Sequence, residues 1–430
     1  MPIFLNNFNK IVFFLLCLFP LSIIAGQAVL SINYFLITIS FFFLLINPEF
    51  RNFFIKNFYI TLFFFIFLCF TAIINFKTYE SVDSLIKSFV YLKNFSLFFL
   101  LIYFLRKEEN KKIFFRVILL ACIFVIIDNY YQYFVGKDIF GYTKSMHRLT
   151  GPFGQGEFVS GSFISKFSIL ILPFLFEKNL FKLKNKNLIQ SLRYFIIITI
   201  FISIIISGER ASSLIFFLGL IIFSIFYLKK FKKIVITSLT LFLILVLLII
   251  SNKSIKYKFI QTNYQLGTLY LFEEYLNIPE QFNDNKNRSF FDSNHGAHFL
   301  TAYEIWKNNS FIGIGPKNFK LECRNEIYKK IKSLNIANRC SSHPHNIYLE
   351  LLSETGMIGF ILFLILLSNV FFSKTFYTFK NRNIWLISSY AQNFAILWPI
   401  ISTGALFSNF NGSFIWINLG IFFALNEKKK

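Results

Sequence analysis

Long apolar runs separated by short charged clusters recur along almost the whole chain. They fall at 11–25, 29–46, 58–75, 88–105, 113–135, 158–176, 193–207, 212–228, 234–250, 347–372, 384–402 and 409–425. A bilayer core takes about 20 apolar residues as a helix. The backbone of a spanning segment must satisfy its own hydrogen bonds, which a helix does. The pattern therefore predicts an all-α polytopic membrane protein with about 12 transmembrane helices. One stretch breaks it. Residues 251–344 are polar and read as one large, partly helical loop. Within it, residues 297–308 space Phe299, Tyr303 and Trp306 along one side of a predicted helix, and residues 321–334 read as a second, basic helix. Gly313, Gly315 and Pro316 predict a turn between them. The chain thus divides into helices 1–9 (residues 1–250), the loop domain (251–344) and helices 10–12 (345–430).

Composition agrees and narrows the class. Hydrophobic residues are 55% of the 430, and charged residues 15%. A soluble domain carries about 25% charged residues, so a soluble enzyme, a disordered chain and a disulfide scaffold are excluded. The 64 Phe accompany many Ile, Asn and Lys, residues with A/T-rich codons, and need no functional explanation. The net charge of +23 would point to nucleic acid in a soluble protein. Here Lys and Arg concentrate in alternate loops, 47–57, 106–112, 177–193, 229–233, 373–383 and 426–430. Loops 26–28, 76–87, 136–157, 208–211 and 403–408 are poor in them. By the positive-inside rule both termini are expected in the cytoplasm and residues 251–344 in the periplasm, with no nucleic-acid partner. The first run also reads as a signal peptide, with Lys10 as its basic end. The second run follows so closely that a retained hairpin is the preferred reading.

Candidate chemistry gathers on the outer side. All five histidines, His147, His295, His298, His343 and His345, fall in the loops assigned there. Histidine suits proton transfer near neutrality, although it also simply avoids lipid. Arg148 (in HRLTGPFGQGE) and Arg210 (in SGERASS) run against the charge rule. A guanidinium fork suits phosphate or pyrophosphate. The plainer alternative is snorkelling at a span end. The most informative segment is CSSHPHNIYLELLSETGMIGF, residues 340–360. It places His345 where the loop enters the tenth run, with His343 beside it and Asn346 available to orient it by hydrogen bonding. Glu350 and Glu354 share one helical face. An ionisable residue entering a membrane is a functional candidate; an interfacial cap is the bland reading. Cys340, His343, His345 and Glu354 are close enough in sequence for a metal, but they match no recognised zinc spacing. No metal or other cofactor is expected.

The cysteines divide by environment. Cys17, Cys69 and Cys122 lie within apolar runs, where a thiol behaves as a small apolar group. Cys323 and Cys340 are the pair in the outer loop. An oxidising periplasm predicts a Cys323–Cys340 disulfide; the alternative is two unpaired thiols.

HPHNIYLELLSETGMIGF resembles the signature of the bacterial O-antigen ligase and O-antigen polymerase superfamily. RLTGPFG, SGERASSLIFFLG and AYEIWKNNSFIGIGPKNF resemble three further elements of that family, in the same order. The match departs at Gln155-Gly156-Glu157, where the family often has Pro-Asn, and the first five runs match in hydropathy alone. The resemblance implies an integral inner-membrane glycosyltransferase. It would move a glycan from an undecaprenyl-pyrophosphate carrier to an acceptor hydroxyl at the periplasmic face. His345 would be the general base and Arg148 and Arg210 the pyrophosphate ligands, with His343, Asn346 and Glu354 in support. The acceptor would be lipid A-core for a ligase or a growing glycan for a polymerase; the ligase reading is preferred. A polysaccharide or lipid transporter is the alternative outside the enzyme class. Lys93, Arg116, Asp128 and Lys166 lie near span ends and predict no ionisable relay for it.

Overall fold

The computed structural model describes residues 2–57, 59–176, 185–228, 231–266, 268, 290–331, 339–371 and 383–426. Parts of the basic loops at 177–184, 229–230, 372–382 and 427–430 lie outside the described residues, as do 269–289 and 332–338 of the outer loop. The helices are α1 (Pro2–Ile24), α2 (Gln27–Leu44), α3 (Pro48–Asn57), α4 (Tyr59–Tyr79), α5 (Val82–Val90), α6 (Leu92–Phe104), α7 (Glu108–Val135), α8 (Ser160–Phe176), α9 (Lys186–Ile206), α10 (Arg210–Leu228), α11 (Phe231–Ser251), α12 (Lys253–Leu266), α13 (Asn294–Asn308), α14 (Phe319–Glu322), α15 (Ile347–Phe371), α16 (Ile384–Ile396) and α17 (Asn409–Asn426). Among the described residues the β-type pairing is a single bridge, Lys137 with Thr143. The protein is an all-α polytopic membrane protein.

Each of the twelve apolar runs is largely helical, the run 88–105 being divided between α5 and α6. Among the described residues eight helices are long and apolar enough to cross a membrane, or nine if one bent pair is a single span. The shortfall from twelve has local causes. α8 is a shorter apolar helix, and α16 ends at Ile396 instead of running to residue 402. α17 carries Asn409, Asn411, Asn418 and Asn426, which dilute its apolar character. α12 turns back from α11 by 108°, so part of the expected loop is a helix folded against the membrane domain.

Polar side chains join the central helices. α10 packs on α8 and α16, α16 on α8 and α17, and α17 on α6. Gln392 of α16 accepts from the Ile169 N–H (3.1 Å) and donates to the Ser165 carbonyl (3.0 Å). Asn418 of α17 donates to the Lys166 carbonyl at 3.3 Å. Trp416, fully buried, donates to the Tyr91 hydroxyl at 2.9 Å. Apolar burial between helices brings no net gain in lipid, so such bonds and close packing select one arrangement.

The outer loop is fastened to α15 through the backbone. α15 is broken at Gly356, whose φ is +64°. Residues 309–319 lie against the break. The Ile314 N–H donates to the Ser353 carbonyl (3.1 Å), Gly315 N–H to the Glu354 carbonyl (2.8 Å) and Met357 N–H to the Ser310 carbonyl (2.8 Å). The Glu354 carboxylate accepts the N–H groups of Lys317 (2.7 Å) and Phe319 (3.3 Å).

The first helix expected in this loop is present as α13, and the second needs correction. α13 buries Ala297, His298, Thr301, Ala302 and Ile305, while Tyr303 is exposed. The small residues allow close packing on α15, while Tyr303 and Trp306 lie side by side as their spacing predicts, rings 5.6 Å apart. Residues 321–331 form the end of α14 and a single 3-10 turn, Glu326–Tyr328, not a continuous basic helix. Asn325 caps that turn by accepting from the Ile327 N–H at 3.3 Å. Residues 332–334 of the expected helix lie outside the described residues.

Cys323 and Cys340 form a disulfide, with Cα atoms 5.3 Å apart and a sequence separation of 17. Arg339 is buried beside it and donates to the carbonyls of Cys323 (3.0 Å), Arg324 (3.4 Å) and Asn325 (3.4 Å). Closing a loop of this size stabilises by roughly 3 kcal/mol on the chain-entropy account. Cys323→Ser is therefore expected to lower the thermal midpoint of the purified protein, and wild-type protein should yield a linked Cys323–Cys340 peptide pair by mass spectrometry without reduction. Full alkylation of both thiols before reduction would contradict the bridge.

Candidate active site

The two arginine segments meet at a backbone crossing. The Leu149 N–H donates to the Ser207 carbonyl at 3.1 Å, closing the segment around Arg148 onto the turn before Arg210. Gly208, at φ +79°, sits in that turn, and a Cβ on it would run into the His147 carbonyl. Glycine is required there both for the left-handed backbone and for the approach. Arg210 opens α10, and its Nη1 donates to Thr262 (3.0 Å) and Gln265 (3.1 Å) on the folded-back α12. Arg148 lies with its guanidinium 5.8 Å from the Phe158 ring, and its Nε has no hydrogen-bond partner among the described residues.

Both arginines line a cavity of about 570 Å³ with Lys166, Glu209, His295, His343 and His345. Lys166 is buried, donates to Asn411 Oδ1 at 2.6 Å and lies 4.8 Å from the Phe414 ring. Glu209 accepts from the Ser162 N–H (3.1 Å) and the Ser212 hydroxyl (3.2 Å). Desolvation pushes its carboxyl up to about 6, against the pull of the Ser162 N–H, Lys166 and Arg148. Among the described residues none of the three cations makes a salt bridge. The cavity therefore holds three positive groups and one carboxyl, a cradle for an anion. A second cavity of about 310 Å³ shares Glu209, Arg210 and Thr262 with the first; Ile205, Ile206, Leu245 and Ile249 form an apolar side, and His147, Lys258 and Asn263 are among its polar lining.

Three of the five histidines, His295, His343 and His345, line the cavity, and His298 packs against the His345 ring from outside its wall. His345 precedes α15 with φ +59°, and the Thr403 N–H holds its carbonyl at 2.8 Å. Its ring centroid lies 4.1 Å from His343, 4.8 Å from His295 and 5.2 Å from His298. Ser341 Oγ is 3.1 Å from Nε2. Burial first, and then the neighbouring imidazoles, push His345 down to about 2. Burial and Lys317 push His343 down to about 4, and burial and Arg210 lower His295. These three imidazoles are held in the neutral form. His147 stands apart: it stacks on Tyr257 at 4.3 Å, with Nδ1 3.0 Å from Ser254 Oγ.

The residues expected in support divide. His343 lines the cavity and has Nε2 3.3 Å from the Thr403 carbonyl. Asn346 is the cap of α15, accepting from Tyr348 (3.0 Å) and Leu349 (3.1 Å) and donating to the Pro399 carbonyl (2.7 Å). It shapes the start of the helix and makes those bonds instead of one to the His345 ring. Glu354 needs correction as an orienter of His345 or an acceptor contact. It is fully buried, its oxygens are engaged by the N–H groups of residues 317 and 319, and it is absent from the cavity wall. Lys166 and Glu209 escaped the sequence reading. The signals were present: Lys166 is the single charge in run 158–176, and Glu209 adjoins Arg210.

Residues 195–364 match the family model described as O-antigen ligase. That segment, 170 of the 430 residues, is similar to the O-antigen ligase family. That segment holds Arg210 and the four clustered histidines, whereas Arg148 and Lys166 lie before it. No curated protein matches the chain.

Proposed function

We propose that the chain is a glycosyltransferase moving a glycan from undecaprenyl pyrophosphate to a hydroxyl of lipid A-core at the periplasmic face, with both termini cytoplasmic. The observation that carries this reading is the single cavity lined by Arg148, Arg210, Lys166 and His345. The acceptor oxygen attacks the anomeric carbon while the bond from that carbon to the pyrophosphate oxygen breaks. The hydroxyl proton goes to His345, and the electron pair of the broken bond goes to the pyrophosphate. Charge developing on phosphate oxygens is met by the two arginines and Lys166. The apolar wall of the adjoining cavity suits the first units of a prenyl chain.

The test uses full-length protein in proteoliposomes with undecaprenyl-pyrophosphate glycan and lipid A-core. Wild type is expected to yield glycan-capped lipid A-core. Product lengthened on the carrier instead would mark a polymerase, and neither product would reject the transferase. Arg210→Lys keeps the charge and loses the fork, and Lys166→Met loses the third cation. Each is expected to lower kcat/KM about 10–100-fold, the worth of a charged hydrogen bond. Unchanged kcat/KM in both would remove them from donor binding.

A further inference from the structure

We propose that His295, His298 and His345 form a binding site for a zinc-class divalent ion, and that its occupancy switches the transfer reaction off. The second half rests on His345 being the base; the first half does not.

His295 and His298 are three apart in the first turn of α13, a spacing that puts both rings on one side. That turn is fixed by Ser293, which accepts from the Gly296 N–H at 3.1 Å. His345 enters from a different segment, pinned through its carbonyl by Thr403. One ring nitrogen from each of the three lies within 4.8 Å of the others. Zinc–imidazole bonds of about 2.0–2.1 Å set tetrahedral nitrogens roughly 3.4 Å apart. Closure thus needs about an ångström of side-chain rotation and no movement of the elements. The Nδ1 of His295 is buried and has no hydrogen-bond partner among the described residues. Ser341 Oγ, 3.1 Å from Nε2 of His345, is the outer contact that holds a ligating imidazole in orientation.

The donor set decides the class of ion. Three imidazoles without a carboxylate suit zinc, copper or nickel and disfavour magnesium and calcium. Three protein ligands leave a fourth position, and His295 and His345 both line the cavity from which water or an acceptor hydroxyl would reach it. The ligands differ from the set raised by sequence proximity. Cys340 is in the disulfide, and Glu354 is engaged by backbone N–H groups. A metal bound to His345 occupies the lone pair that takes the acceptor proton, so ion and catalysis exclude one another.

Full-length protein in nanodiscs tests this with Co²⁺ as a spectroscopic probe. One equivalent is expected to give visible d–d bands of tetrahedral type, lost on adding Zn²⁺. Excess Zn²⁺ is expected to lower transfer about 10²-fold, towards the level without the base, and a chelator should restore it. His298→Gln removes a ligand that does not line the cavity. It is expected to lose the cobalt bands and to become insensitive to Zn²⁺ while keeping basal transfer. Absence of the bands in wild type overturns the site, whatever the fate of the variant. Equal inhibition of wild type and His298→Gln, or stimulation by Zn²⁺, overturns the switch. If His345→Ala keeps full transfer, the base assignment fails, and the cobalt spectrum still decides the metal site.

Discussion

His345→Ala is expected to lower glycan transfer by about 10²–10⁴-fold, the usual worth of a positioned proton acceptor, with the protein still inserted and folded. The separation of function from fold has a structural basis. The His345 backbone is held by the bond from Thr403, and α15 is started by Asn346, so truncating the ring removes neither fastening. The ring contacts that would be lost are to His343, His295, His298 and Ser341. Nor does the acceptor base have a simple understudy. His343 lies nearest, but its nitrogens are within hydrogen-bond distance of Ser342 Oγ (3.0 Å) and the Thr403 carbonyl (3.3 Å). Initial rates at equal protein, beside a melting curve and the intact Cys323–Cys340 bridge, measure the effect. Near wild-type rates in a folded His345→Ala protein would dismiss the imidazole as base.

Gly356→Ala is expected to be the most damaging single-methyl change in the molecule. The added Cβ would meet the Phe311 carbonyl and come within 2.6 Å of the Ile312 nitrogen, backbone atoms that no rotamer change can clear. The residue must also keep φ at +64°, a left-handed conformation costly to every residue with a Cβ. Overpacking of about 1–3 kcal/mol and left-handed strain of roughly 1–2 kcal/mol add in the same direction. The loss falls where the outer loop is joined to α15. The expected result is a large drop in the thermal midpoint of detergent-purified protein, with faster proteolysis between residues 309 and 320. A midpoint within a degree or two of wild type would show that the break in α15 is not a fixed junction.

How far the site could be read from sequence follows from the type of interaction. The helices were legible because lipid demands long apolar runs, and each of the twelve runs is largely helical. Arg148 and Arg210 stood out as charges in loops poor in Lys and Arg, and His345 as an ionisable residue at the start of an apolar run, and the fold brings all three to one cavity. What sequence could not convey was partnership. Glu354 looked like an active-site carboxylate, yet its bonds run to backbone N–H groups 35 and 37 residues earlier. Lys166 looked like a residue near a span end. It is buried because Asn411, 245 residues away, receives its ammonium. The 108° return of α12, which supplies Thr262 and Gln265 to Arg210, leaves no periodic mark in a polar stretch. Hydropathy records what a residue avoids, and pairings across hundreds of residues are set only by packing.

The crossing of residues 147–149 over 207–208 bears on how this site can change over generations. The roots of the two guanidinium groups are spaced by one peptide bond group touching another, with a hydrogen atom where a side chain would otherwise stand. Such a spacing depends on atoms common to every residue. The apolar side chains along α9 and α10 take no part in that spacing and can change without altering it. The separation of the arginine roots stays constant for as long as position 208 lacks a side chain.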